Sequence, residues 1–351
     1  MFSHDVIESI PTWFTVKEKV SDCIISTRIR LARNLVDHQF PFRSSLLERK
    51  NVFEEVAAAI KEIPCFEHST VMNFISLDKL HQQFLFENRI VSRELLNLEG
   101  DRGVVFNFTS PLSIMINEED HIRMQCMMPG FQIENVWNAI SEIDDRMGKE
   151  ISYAYSAPRG FLTACPTNSG TGLRISFLMH LPGLVLTKTI DSVLNGATQM
   201  GISVRGFFGE HSDIIGNFFQ LSNQATLGAS ENDFMKHTTD LIKKIILYEH
   251  SARKRILQEA KAELADKVFR AYGIMRYAHT LSMEECLNLS SAIRLGIECG
   301  MIQDMSVETL NQMILLCLPA HIELYHAREK ITDDEKSVLR AELVRKYLPV
   351  L

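Results

Sequence analysis

The stretch Asn117–Arg123, reading Asn-Glu-Glu-Asp-His-Ile-Arg, constrains this chain more than any other. It lies between Pro-Leu-Ser-Ile-Met-Ile and Ile-Arg-Met-Gln-Cys-Met-Met, two apolar runs of strand length, so it reads as the turn of a hairpin. Glu118, Glu119 and Asp120 are adjacent acids that repel one another, at a cost unless a cation, a donor network or water meets them. Taken alone, three such residues read as a solvated acidic tip. Arginines on other strands argue for more.

The alternation of Cys-Ile-Ile-Ser-Thr-Arg-Ile-Arg-Leu at 23–31 places Ser26, Arg28 and Arg30 on one face of a strand and Ile25, Thr27, Ile29 and Leu31 on the other. Arg28 and Arg30 then stand about 7 Å apart, a plausible anion clamp, although exposed arginines on edge strands are common. Strand 173–181 repeats the theme, with Arg174, Ser176 and His180 opposite Leu173, Ile175, Phe177, Met179 and Leu181. It leaves a loop rich in hydroxyls and glycine, Cys165-Pro-Thr-Asn-Ser-Gly-Thr-Gly172. Cys165 at the mouth of that loop reads equally as a functional thiol or an inert one. Ile202–Arg205 supplies another arginine and runs into Gly206-Phe-Phe-Gly-Glu210-His, which reads as a mobile loop carrying Glu210 or as an ordinary surface hairpin. Residues 215–221 read as a returning strand. Arg28, Arg30, Arg123, Arg174 and Arg205 would repel if gathered without an anion, and planar guanidinium forks suit the β- and γ-phosphates of a nucleoside triphosphate. No Walker loop and no Gly-x-Gly-x-x-Gly is present.

The 351 residues allow two domains, and a hydrophobic share of 46% supports a sizeable core. A net charge of -7 argues against direct nucleic-acid binding. Seven scattered cysteines without a Cys-x-x-Cys disfavour a disulfide framework or a structural zinc site and suit a cytoplasmic protein. The acidic N-terminus does not read as a signal peptide, and no apolar run has the length of a membrane span. Residues 1–20 form an amphipathic lead-in. Residues 21–250 carry strands without regular helical crossovers, predicting an α+β domain with an antiparallel β-sheet flanked by helices. From Glu231 onward the pattern is helical, with capping-box spacing at Ser282–Glu285 and Thr332–Glu335. The predicted all-α C-terminal domain covers 251–351, its boundary falling around 249–255 inside a long helix.

The segments Ser-Thr-Arg-Ile-Arg (26–30), Asn-Glu-Glu-Asp-His-Ile-Arg (117–123), Cys-Pro-Thr-Asn-Ser-Gly-Thr-Gly-Leu-Arg (165–174) and Arg-Gly-Phe-Phe-Gly-Glu-His (205–211) resemble, in order and spacing, the signature segments of the phosphagen (guanidino) kinases. The arginine motif begins some two dozen residues into the chain and a helical domain follows. That layout resembles the protein-arginine kinase branch of the family. The resemblance implies the phosphagen-kinase fold, with ATP and Mg²⁺ as cofactors. It implies Glu119 as general base and Glu210 as orienting partner, or the reverse, with Cys165 as the reactive thiol beside the guanidino group. It implies an ATP site of Ser26, Thr27, Arg28, Ile29, Arg30, Arg89, Arg123, Arg174, Ile175, Ser176, Phe177, Leu178, Arg205, Gly206, Phe207, Phe208, Gly209 and Glu210. Mg²⁺ would ride on the phosphates, touched through water by Glu118 or Asp120, without a dedicated protein metal site.

The sequence departs from the family pattern in two places. Arg89 stands where the family usually has a histidine near the adenine. Of the Arg-Asp-x-x-Arg-Ala run that forms a phosphoarginine pocket in the branch, Lys336-Ser-Val-Leu-Arg340-Ala341 keeps only Arg340 and Ala341.

The resemblance implies transfer of the ATP γ-phosphoryl group to arginine side chains of proteins, marking them for degradation or regulation in stress. Its implied partners are substrates with exposed arginine, a McsA-like zinc-binding activator, a ClpC-like Clp ATPase and a second copy in a homodimer. Two alternatives remain: a kinase of free arginine or a similar metabolite, and a non-catalytic adaptor for stressed or phosphorylated proteins.

Overall fold

The computed structural model describes residues 2–15, 23–207, 214–328 and 330–349. Its strands are β1 (Ile24–Arg33), β2 (Thr70–Asn73), β3 (Gly103–Phe106), β4 (Leu112–Ile116), β5 (Ile122–Pro129), β6 (Tyr155–Ser156), β7 (Gly160–Phe161), β8 (Leu173–His180), β9 (Ile202–Arg205) and β10 (Phe218–Asn223). Eight of them form one sheet in the order β2-β3-β4-β5-β1-β8-β10-β9, every neighbouring pair antiparallel, while β6 and β7 pair separately. The antiparallel α+β architecture read from the alternation is the one that forms.

Helices α1 (His4–Glu8), α2 (Leu46–Lys61), α3 (Lys79–Glu87), α4 (Arg93–Leu96), α5 (Ile133–Glu150), α6 (Pro182–Leu186), α7 (Ile190–Gln199) and α8 (Glu231–Glu259) are interleaved with the strands or follow them. The remainder is α9 (Lys261–Tyr277), α10 (Met283–Glu298), α11 (Val307–Leu316), α12 (Pro319–Tyr325) and α13 (Asp333–Tyr347). Residues 249–255 lie inside α8, and Ala260 separates α8 from α9.

Each face of the sheet has its own core. On one side, Ile133, Val136, Ile140, Ile143 and Met147 of α5 recur at helical spacing and pack, with α2 and α8, against Ile29, Leu31, Ile175, Phe177 and Met179. On the other, Met127, Leu178 and Phe218 meet Trp13, Phe14 and the helices α9 to α11. The alternation in β1 is not continuous. The register slips by a β-bulge between Ile24 and Ser26, so Ile24 joins the first core and Ile25 the second. Ile25 therefore does not share a face with Ile29, because a bulge inserts one unpaired residue. The predicted strand at 215–221 also shifts: Gly216 (φ +65°) and Asn217 (φ +56°) turn the chain, and pairing begins at Phe218.

A buried ionic junction ties β8 to the helices. Glu249 accepts from the Gly183 and Leu184 N–H groups at 2.8 and 2.9 Å, capping α6, and from Arg253 Nε at 2.6 Å. Arg253 reaches Glu298 at 2.9 Å and the His180 carbonyl at 3.3 Å, and Arg294 meets the other Glu298 oxygen at 2.9 Å. Burial would protonate Glu298, but Arg294, His180 and Arg253 hold its carboxyl down to about 2. Removing one member strands the rest in a dry interior, which costs about 3–5 kcal/mol. Glu249→Ala is expected to destabilise the fold by that order and Glu249→Gln by less, as read from urea denaturation. Equal, small losses for both variants would contradict a charged junction.

Candidate active site

The register of the sheet builds the site. Arg30 of β1 lies directly opposite Gln125 of β5 on one side and Arg174 of β8 on the other. Residues opposed across antiparallel strands share a face, so two guanidinium groups are set side by side, a pairing that destabilises a sheet. The next row is Arg28, Ser176, Ser222 and Ser203; the one after it holds Leu178, Gln220 and Arg205. Arg28 Nε donates to Ser176 at 3.2 Å and its Nη2 to Gln220 Oε1 at 3.1 Å, while Arg174 Nη2 donates to Ser203 and Ser222 at 3.3 and 3.2 Å. These neutral partners aim the arginines without discharging them.

These rows open into a cavity of about 200 Å³ lined by Arg28, Arg30, Arg89, Arg93, Arg123, Arg174 and Arg205, against the two acids Glu94 and Glu119. Burial, then Arg30, Arg89, Arg174 and Arg123, push the Arg28 guanidinium well below its ordinary range. Burial, with Arg123 and Arg174, brings Arg30 down to about 9 despite Glu118 and Glu94. Arg30 Nε is buried with no hydrogen-bond partner. A guanidinium is not deprotonated in proteins as a class, so the cavity concentrates positive charge in a low-dielectric wall. An anion with several oxygens relieves that repulsion.

The acidic turn forms as expected, but its three acids have separate places. Glu118 is buried behind the cavity, accepting from Arg123 Nη1 and from the Ser92 hydroxyl, both at 2.6 Å. Burial opposes its charge, yet Arg123, Ser92, the Glu119 N–H and Arg30 hold its pKa below the ordinary value. Asp120 is fully buried and accepts from Asn34 Nδ2 and the Ala164 N–H, both at 2.7 Å. It ties the turn to the Cys165 loop, and neither it nor Glu118 is among the residues that line the cavity. Glu119 lines it, 40% exposed, held by Arg123 Nη2 and Asn168 Nδ2, each at 3.1 Å.

Cys165 also lines the cavity, its Sγ 3.0 Å from the Thr167 hydroxyl. The loop following it needs its glycines: a Cβ on Gly170 (φ +106°) would sit 2.4 Å from the Thr226 carbonyl oxygen, and one on Gly172 (φ +64°) 2.6 Å from that of Ala32.

Arg89 joins the cavity from the turn after α3, in the left-handed region (φ +59°), its guanidinium over the rings of Phe207 and Trp13 at 4.5 and 4.9 Å and donating to the Phe207 carbonyl. Burial brings it down to about 10.

Other expected residues are placed differently. Ile29, Ile175 and Phe177 point into the helix-side core, so only their backbone belongs to the active face. Thr27 donates to the Gly130 carbonyl and accepts from the Gln132 N–H at the start of α5. Leu178 and Phe207 pack in the second core, and Gly206 and Ser26 are buried. Phe208, Gly209 and Glu210 lie outside the described residues. Arg340 is buried and donates to the Cys317 and Leu281 carbonyls at 2.9 and 2.7 Å. Gln125, Gln220, Ser92 and Asn168 have roles that went unassigned. A glutamine on the polar face of an otherwise apolar strand was the available signal for the first two.

Comparison with known proteins agrees with this geometry. Residues 51–252 match the family of the ATP:guanido phosphotransferase C-terminal catalytic domain, and residues 261–350 match the protein-arginine kinase McsB C-terminal domain. A protein-arginine kinase of Brevibacillus brevis is 38% identical over 97% of this chain and 95% of its own, and that of Bacillus subtilis 36% identical over 98% and 95%. Among solved structures, lombricine kinase superposes with a TM-score of 0.59 at 25% identity, covering 70% of this chain and 71% of its own. A duplicated taurocyamine kinase from Schistosoma mansoni gives 0.62 at 23%, over 70% of this chain and 35% of that one. A sheet that sets arginine against arginine, with Glu119 and Cys165 lining the same cavity, is thus found in a chain that belongs to the ATP:guanido phosphotransferase family and, within it, to the protein-arginine kinases.

Proposed function

We propose that the cavity holds the phosphates of ATP on Arg28, Arg30, Arg123, Arg174 and Arg205 while Glu119 receives the guanidinium of an arginine side chain in a protein substrate. The observation that carries this reading is the Arg30–Arg174 opposition, which has no stabilising purpose in a sheet unless an anion spans it. A guanidinium is a poor nucleophile because it holds its proton above pH 12. Glu119 draws the cation in, orients one nitrogen toward the γ-phosphorus and takes the proton as the N–P bond forms and the P–O bond to ADP breaks. The arginines then neutralise charge that gathers on the transferring group and on departing ADP. Glu210 would be the second acid, and Cys165 would lie against the bound guanidine.

Mg²⁺ would ride on the phosphates of the nucleotide, held by that ligand rather than by a carboxylate cage. Bound there, it would add charge neutralisation at the β- and γ-oxygens. The wider reading includes a cytoplasmic setting, homodimers, a McsA-like zinc-binding activator and delivery of marked proteins to a ClpC-like ATPase in stress; it is carried by the family resemblance. Among the described residues no helix is long and apolar enough to cross a membrane.

Two outcomes are expected. Glu119→Gln should lower transfer to an arginine-rich protein by about 10²–10⁴-fold with ATP binding nearly unchanged. The readout is mass spectrometry for acid-labile phosphoarginine; acid-stable phosphate on serine would contradict the reading. Arg30→Met should leave the melting temperature without nucleotide unchanged or higher, because it removes repulsion, yet weaken ATP by about tenfold or more. A several-degree loss of unliganded stability with undiminished ATP binding would contradict it.

A further inference from the structure

A hydrogen-bonded chain runs from α12, in the C-terminal helices, to Arg89 in the cavity. Glu87, the last residue of α3, is buried and accepts from the Ala320 N–H at 2.9 Å and from His321 Nδ1 at 2.8 Å. His321 is fully buried, and its Nε2 lies 3.2 Å from Asn88 Nδ2. That amide also donates to the Phe84 carbonyl at 2.9 Å, which assigns the nitrogen to this end of Asn88. The imidazole is therefore an acceptor at Nε2 and a donor at Nδ1, and both of its nitrogens are satisfied. Asn88 in turn takes Trp13 Nε1 on its carbonyl at 3.0 Å, and the carbonyl of Arg89 itself accepts from Gln125 at 2.7 Å.

Arg89 is not glycine and yet holds φ +59°. Such a conformation is strained for a residue with a side chain and persists only when its surroundings over-determine it. The restraints that hold it are those just described: Gln125 on its own carbonyl, and His321, Phe84 and Trp13 on its neighbour. Trp13 has a double part, since its indole also lies under the Arg89 guanidinium. Within this set, the buried Glu87–His321 pair belongs half to the sheet-bearing part of the chain and half to α12. A buried acid–imidazole pair is a costly way to glue two helices, and here it fixes a side-chain amide one residue from the cavity arginine.

We infer that His321 is a positioning residue for the nucleotide site, acting from α12 through Asn88 to hold Arg89 in its left-handed turn and its guanidinium between Trp13 and Phe207. This rests on the reading of the cavity as the ATP site. Loss of the His321 acceptor frees the Asn88 amide and lets Arg89 relax out of the cavity wall, weakening the nucleotide complex while the reacting groups stay in place.

The test is a double-mutant cycle on the full chain with ATP as the ligand, reading affinity by calorimetry alongside KM and kcat. His321→Asn keeps a donor toward Glu87 and loses the acceptor toward Asn88. It is expected to raise the ATP KM and Kd about tenfold with kcat within about threefold. In an Arg89→Ala background the same change should have almost no further effect on Kd, a result that a purely structural role would not produce. If His321→Asn does not fold, Asn88→Ser cuts the same link from the other side and should give the same pattern. Equal losses with and without Arg89, or an unchanged KM, would overturn the inference. Absence of ATP binding by the unaltered protein would instead overturn the reading of the cavity.

Discussion

Arg30 faces Arg174 across two antiparallel strands, and the rest of the molecule accommodates that opposition. Cross-strand like charges weaken a sheet, and burial on the opposite face offsets that cost. There Ile29, Leu31, Ile175 and Phe177 alternate with the arginines and bury completely under α2, α5 and α8. One strand thus performs two tasks on its two sides. The polar side is aimed by Ser176, Ser203, Ser222 and Gln220, whose neutral dipoles hold the forks without cancelling their charge. A site prepared this way needs little rearrangement when the anion arrives, and such preorganisation is the largest contribution a protein makes to phosphoryl transfer.

The acidic turn supplies the counterweight and divides it. Glu118 neutralises Arg123 from behind, so that this arginine alone among the shifted ones of the cavity is raised, burial being outweighed by Glu118, Glu119, Asp120 and Glu94. Asp120 is spent on architecture, binding the Ala164 N–H next to Cys165 and so tying the turn that carries Glu119 to the loop that carries Cys165. His121 anchors the turn from below, accepting from the Leu35 N–H at 3.2 Å and donating to the Gln39 carbonyl at 2.9 Å; burial first of all brings it down to about 4, so it stays neutral. Only Glu119 is left at the cavity wall. Three adjacent acids that would otherwise repel are each met by donors: Glu118 and Glu119 share Arg123, and Asp120 takes Asn34 and the Ala164 N–H.

Much of this was legible in the order of residues because its cause is local. Alternation in 173–181 places Arg174 opposite a wholly apolar row, and the structure keeps that arrangement; the helical spacing of Val136, Ile140 and Ile143 likewise becomes the buried stripe of α5. Where a non-local cause intervenes, the pattern misleads. The bulge at Ile25 reverses the faces of the first turn of β1, and no propensity announces it. The fates of Glu118 and Asp120 depend on Ser92, Asn34 and Ala164, partners distant in sequence. Arg340 reads as a ligand residue by its motif, yet it is buried and gives two of its five N–H donors to the backbone carbonyls of Cys317 and Leu281. The link from His321 to Arg89 spans more than two hundred positions and leaves no periodic trace at all.

The most direct test of the account is a crystal structure of the protein with a non-hydrolysable ATP analogue and an arginine-bearing peptide. The account predicts β- and γ-phosphate oxygens bridging Arg30 and Arg174, with the peptide guanidinium against the Glu119 carboxylate and beside Cys165. Phosphates bound away from that pair of arginines, or a guanidinium out of reach of Glu119, would contradict it.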